Sequence, residues 1–183
     1  MAYTKKSPRK TNNIHILGLI GEKIFNNYMQ DQGYKVHMNV DPYGYNDHKV
    51  FFDKKTPTIT QLKTISPYHN HDCWALDAEN GKQVLHALKC EKMYIISIPM
   101  VWPNEYDGWL LEVELNILKS DPNSIRPLPN GTTNSLIIPR SERYVRKLYK
   151  LTQEEEDLLL KYAVSDYAKK PSTYVKKTKK TTK

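Results

Sequence analysis

Over residues 14–32 apolar side chains recur three and four positions apart. Leu17, Ile20, Ile24 and Tyr28 form one stripe with Phe25 beside it, the spacing of a helix that buries one face. Gly33 stands where a helix stop wants a residue tolerant of left-handed backbone, and Thr11, Asn12 or Asn13 is in place to cap the start. Glu22 lies at the border of the stripe, on the side shared by Phe25 and Met29. The pattern then changes to period two. Residues 34–40 and 47–53 read as strands on either side of a turn-rich loop at 41–46, and 58–65 alternates most regularly of all. In that third strand Gln61 and Lys63 point to one side, with Thr60 and Leu62 facing away. An amide beside a lysine is either an ordinary polar sheet face or a place where something anionic docks.

Residues 68–80 read as irregular. A second helix is expected over 82–92, with Val84, Leu85 and Leu88 on one face, and 93–99 is a near-continuous apolar run suited to a strand buried on both sides. Strand, helix and strand then form a parallel, right-handed crossover unit. Another strand is expected at 109–115, then a long excursion marked by Pro122, Pro127, Pro129 and Asn130-Gly131, then a short strand at 136–138 closed by Pro139. Arg140, Arg143, Arg146 and Lys147 fall at helical spacing and would make one basic stripe on a helix, either solvated or facing phosphate. Thr152 followed by Glu155 is a capping box opening a last helix, with Glu154, Glu155, Glu156 and Asp157 where the helix dipole favours them.

At 183 residues the chain has room for one domain, here 13–168, between a flexible basic arm (1–12) and a disordered lysine-rich tail (169–183). Apolar content of 39% is low, and 13 Tyr against 3 Phe point to a small core under a wet, aromatic surface. A formal net charge of +8 favours polyanionic partners, nucleic acid or an anionic membrane surface. No run approaches the ~20 apolar residues of a membrane span, and no apolar signal core follows the basic N-terminus. An intracellular, reducing setting is expected, with Cys73 and Cys90 unpaired. His69, His71, Asp72 and Cys73 match no closed zinc site, leaving a phosphate-contacting loop or a plain polar one.

Three stretches stand in a telling relation: Gly21-Glu22-Lys23-Ile24-Phe25 in the leading helix, Asn46-Asp47-His48-Lys49-Val50 at the head of the second strand, and Gln61-Leu62-Lys63-Thr64 in the third. With the helix–strand unit at 87–96, this resembles the PD-(D/E)XK, or restriction-endonuclease-like, nuclease superfamily over roughly residues 18–100. Ile137-Ile138-Pro139-Arg140-Ser141 is similar to a trailing segment of phage-type members, which would act in the host cytoplasm. The chain departs from the commoner pattern at Gln61, where an acidic residue is usual, and at Asn46, where proline is usual.

The resemblance implies an α/β fold with a restriction-endonuclease-like core: a mixed central β-sheet flanked by helices in the order αβββαβ, with extra C-terminal strands and a helix. It implies a Mg²⁺- or Mn²⁺-dependent deoxyribonuclease, endonucleolytic in action. Asp47 would be the main metal ligand, Glu22 a second carboxylate and Gln61 an amide-oxygen ligand. Lys63 would meet the attacking water and the scissile phosphate. Two carboxylates would hold one metal firmly. Tyr43 and Tyr45 would stack on bases, as would Trp74 unless it packs locally. His69, His71, Arg140, Arg143, Arg146 and Lys147 would contact nucleic acid, with both tails adding salt-sensitive binding. A homodimer fits the superfamily's habit. Two other readings remain: a nuclease-fold protein that binds nucleic acid without cutting it, and a structural protein whose basic tails seek anionic surfaces.

Overall fold

The computed structural model describes residues 8–38, 48–53, 55–67, 72–77, 89–101, 104–127 and 134–164. Helix α1 runs Pro8–Asp31. Pro8 opens it, where a fixed φ suits a first turn and the missing N–H costs nothing. The helix therefore starts earlier than the apolar stripe. Residues 8–12 belong to it rather than to a flexible arm, and Thr11, Asn12 and Asn13 lie inside it rather than capping it. Its end is as expected: Gly33 takes φ +82°, its N–H meets the Gln30 carbonyl at 2.8 Å, and the Tyr34 N–H meets that of Met29 at 2.9 Å.

Strands β1 (Lys35–Met38), β2 (His48–Phe51) and β3 (Thr58–Ile65) follow. They form an antiparallel meander with Lys35 opposite Phe51 and His48 opposite Thr60. After β4 (Cys73–Asp77) comes β5 (Lys92–Ser97), parallel to β3 with Gln61 opposite Met93. The remaining elements among the described residues are β6 (Trp109–Val113), α2 (Leu115–Ser120), β7 (Ile125–Pro127), β8 (Asn134–Pro139), β9 (Val145–Lys150) and α3 (Gln153–Tyr162). The fold is thus mixed α/β. One six-stranded mixed sheet has the order β1-β2-β3-β5-β6-β9, and a three-stranded sheet has the order β4-β8-β7.

The apolar run of β5 serves two cores. Tyr94 and Ile96 meet Leu17, Ile24, Phe25 and Met29 of α1 and Leu159 and Leu160 of α3. Met93 and Ile95 meet Trp74, Leu76, Leu136 and Ile138 of the smaller sheet and Leu115 and Leu118 of α2. Period-two geometry sends alternate side chains to opposite faces, so a strand covered on both sides is apolar through its middle, here Met93 to Ile96. The capping box of α3 is present, with the Glu155 N–H on Thr152 Oγ1 at 3.2 Å and the Thr152 N–H on Glu155 Oε2 at 2.9 Å.

Four expectations are corrected. The stretch 68–80 holds a strand, β4, because Cys73, Trp74 and Leu76 are apolar enough to be buried against β8. The excursion after residue 114 contains α2 and β7. Of the helix expected over 82–92, Lys89 is helical, Cys90 and Glu91 form a bend and Lys92 already opens β5, residues 82–88 lying outside the described residues. Residues 145–150 are a strand, so Arg140, Arg143, Arg146 and Lys147 form no helical stripe. Cross-strand pairing with β6 overrides the local spacing there.

A polar chain ties the two sheets together. Trp74 Nε1 donates to Ser97 Oγ at 3.2 Å, and the Arg140 guanidinium donates to Asp107 Oδ1 at 2.6 Å. Burial pushes the Asp107 carboxyl up, against the opposing pull of the Asn104 N–H and Arg140. Among the described residues no helix is long and apolar enough to cross a membrane.

Candidate active site

Among the described residues β2 pairs with Thr58, Ile59 and Thr60 of β3, and β5 pairs with β3 from Thr60 to Ile65.

A cleft of about 330 Å³ is bordered by four consecutive residues of β3, Leu62 to Ile65. The opposite wall is α1, through Ile14, Gly18 and Glu22, and His48 also borders the cleft. Glu22 and Lys63, forty-odd residues apart in the chain, thus share one cavity.

The close approach of α1 to β3 rests on a missing side chain. A Cβ on Gly21 would sit 1.8 Å from Thr64 Oγ1, so a glycine is needed there. It brings Glu22, the next residue, down beside β3. On the apolar side, Phe25 packs against the His48 ring at 5.1 Å, edge to face. His48 is fully buried, and its carbonyl accepts from Thr60 Oγ1 at 3.3 Å.

Of the four residues expected to act together, Glu22 and Lys63 border the cleft, and Asp47 lies outside the described residues. Gln61 is buried two positions before Lys63 on the same side of β3 and is not part of the cleft wall. Its Oε1 has no hydrogen-bond partner among the described residues, a costly arrangement for a buried amide oxygen. Among the described residues no three His, Cys, Asp or Glu side chains gather as a metal cage. Sequence reading passed over His48. Its own signal, a histidine in an apolar strand, is common in packed cores, and only its contact with Phe25 and the cleft makes it part of the site.

The residues expected to contact nucleic acid divide differently. Tyr43, Tyr45, His69 and His71 lie outside the described residues. Arg140 is buried on Asp107, with Asp72 at 3.8 Å. Arg146 is paired with Glu112, and Lys147 with Glu105 at 2.6 Å. Arg143 lies over the Tyr144 ring, 5.4 Å from its centre. The groove of about 660 Å³ that Arg140, Arg146 and Lys147 border is also lined by Glu105, Glu114 and Glu142. Carboxylates interleave the cations there, so no continuous basic track forms. Trp74 is fully buried in β4, which is the local-packing reading of that residue. Compared with protein-family models, with curated proteins and with solved structures, the chain finds no match.

Proposed function

We propose that the chain is a metal-dependent nuclease with a restriction-endonuclease-like core, hydrolysing phosphodiester bonds in DNA. One observation carries the reading: a carboxylate from the leading helix and a lysine from the third strand border the same cleft. The meander β1-β2-β3 followed by β5 parallel to β3 supports the same core.

The donor chemistry fits a hard cation. Glu22 offers a carboxylate at the cleft wall, and Gln61 holds a buried amide oxygen without a hydrogen-bond partner among the described residues. Glu22, Gln61 and Asp47 would hold the ion. Once bound, Mg²⁺ or Mn²⁺ lowers the pKa of water and draws negative charge from the phosphate. Lys63, half-buried on β3, donates hydrogen bonds to the phosphate oxygens as charge builds on them. Leu62 and Ile65 give the cleft an apolar lining beside it, which lowers the local dielectric and strengthens that interaction.

The test is incubation with supercoiled, linear and single-stranded DNA plus Mg²⁺ or Mn²⁺. The parent is expected to cut, and Lys63→Ala and Asp47→Ala to fold normally by circular dichroism and not cut. Cleavage by both variants at the parent's rate sinks the assignment. Gln61 favours a second reading, nucleic-acid binding without hydrolysis, because an amide in place of a carboxylate removes a negative ligand. Calorimetric titration with Mn²⁺ separates the two: a nuclease binds the ion, and loses that binding in Asp47→Ala.

A further inference from the structure

A second cleft, of about 190 Å³, lies on the α1 face of the large sheet, under the C-terminal end of that helix. The Glu22–Lys63 cleft borders α1 further back, from Ile14 to Glu22. Tyr28 of α1, Gln32 just past its end, Tyr34 and Phe52 enclose the second cleft from above, and Lys92, Tyr94, Glu112 and Arg146 rise from the sheet below. The sheet residues meet by register. Tyr94 stands opposite Glu112, and Glu112 opposite Arg146, across three adjacent strands. Lys92, two before Tyr94, points the same way.

Glu112 accepts from Lys92 through one oxygen and from Arg146 through the other. Burial works to raise its carboxyl, but those two hydrogen bonds overcome it and hold it below the usual carboxylate range. The carboxylate therefore stays charged and fixes both cations in place. Two positive charges against one negative leave the group with a net charge of +1. Arg146 has five N–H donors and Lys92 three, so each keeps donors beyond the one spent on Glu112. The phenols add to them. Burial pushes the Tyr28 and Tyr94 hydroxyls up, with Tyr34, Glu112 and Arg146 among the groups acting on both. Both are neutral O–H donors near pH 7, and the phenols and the ion triad line one space.

We infer that this cleft is an oxyanion site that takes a phosphate group, held by Arg146, Lys92 and the hydroxyls of Tyr28, Tyr34 and Tyr94. A tetrahedral oxyanion has acceptor lone pairs enough to receive from all of them at once. The aromatic rings of Tyr34 and Phe52, packed edge to face at 4.8 Å, form a dry wall on which the rest of a ligand can lie. This inference is independent of the nuclease reading, since it uses none of Glu22, Asp47, Gln61 or Lys63. The phosphate could come from a terminal monoester or from a nucleic-acid backbone, and the chemistry of the site is common to both.

The experiment is titration of the full chain with inorganic phosphate, and with one short oligonucleotide with and without a 5′-phosphate. It is followed by calorimetry and by the ring NMR signals of the tyrosines. Phosphate is expected to shift the signals of Tyr28, Tyr34 and Tyr94. Affinity should fall about tenfold or more in Arg146→Ala, and severalfold in Tyr94→Phe, which keeps the ring and the packing. Preference for the 5′-phosphorylated strand assigns the site to a terminal monoester. Equal binding of both strands, weakened in both variants, assigns it to backbone phosphate. Unmoved ring signals, or affinity indifferent to Tyr94→Phe and Arg146→Ala alike, overturns the inference.

Discussion

Gly21 decides how near α1 can lie to β3. Alanine there would place a methyl carbon 1.8 Å from Thr64 Oγ1 and 3.0 Å from Thr64 Cβ. Threonine is branched at Cβ and cannot swing clear cheaply. Gly21→Ala is expected to lower stability by about 1–3 kcal/mol in urea unfolding, and adding Thr64→Ala should recover most of it. Gly18→Ala is the control: nothing lies within 4 Å of a Cβ at that position, so stability should hold or rise slightly. At this scale the sequence was most readable where the chemistry is local. Thr152 with Glu155 and the turn at Gly33 depend on neighbours within three or four residues. The need for glycine at 21 depends on Thr64, far along the chain, and no local rule announces it.

Between elements, side chains are sorted by register. Tyr94, Glu112 and Arg146 face one another because three strands align, and the ion triad around Glu112 follows. Its carboxyl lies below the ordinary 4.5 in the folded chain. The stability it adds is thus fully present above about pH 4.5 and is lost as pH falls through the lowered value. Thermal melts of parent and Glu112→Gln should differ most near pH 7 and converge below pH 4.5. A gap that stays constant with pH would mean the carboxylate's charge contributes nothing. The three strands after α1 were legible from alternation, and β5 from its apolar run. The strand β4 was not, because His69, His71 and Asp72 drew the eye to polar chemistry while Cys73, Trp74 and Leu76 supplied a short apolar pattern. The helical spacing of Arg140, Arg143, Arg146 and Lys147 misled for a related reason: spacing alone cannot tell an isolated helix from an edge strand stitched to β6.

At the scale of the whole molecule, two sheets meet over the Trp74 cluster, and Arg140 is set into their junction. Its side chain is 8% exposed and that of its partner Asp107 is 3% exposed. Arg140→Ala would leave that carboxylate buried without its cation, at a cost of about 3–5 kcal/mol. Arg143→Ala, at an exposed position, should stay within about 0.5 kcal/mol of the parent. Equal effects in chemical denaturation would show that Arg140 is a surface cation after all. The same junction was beyond sequence reading, since β4 and β8 are distant in the chain and nothing local announces their pairing.

That pairing has a consequence for biosynthesis. Cys73 to Asp77 can be matched only when Ser135 to Pro139 have left the ribosome, so Trp74 must wait for much of the chain to be made before it is covered. A nascent chain halted before residue 134 would carry a strand without its β8 partner and an indole covered on one side alone, a species made for chaperones or for clumping.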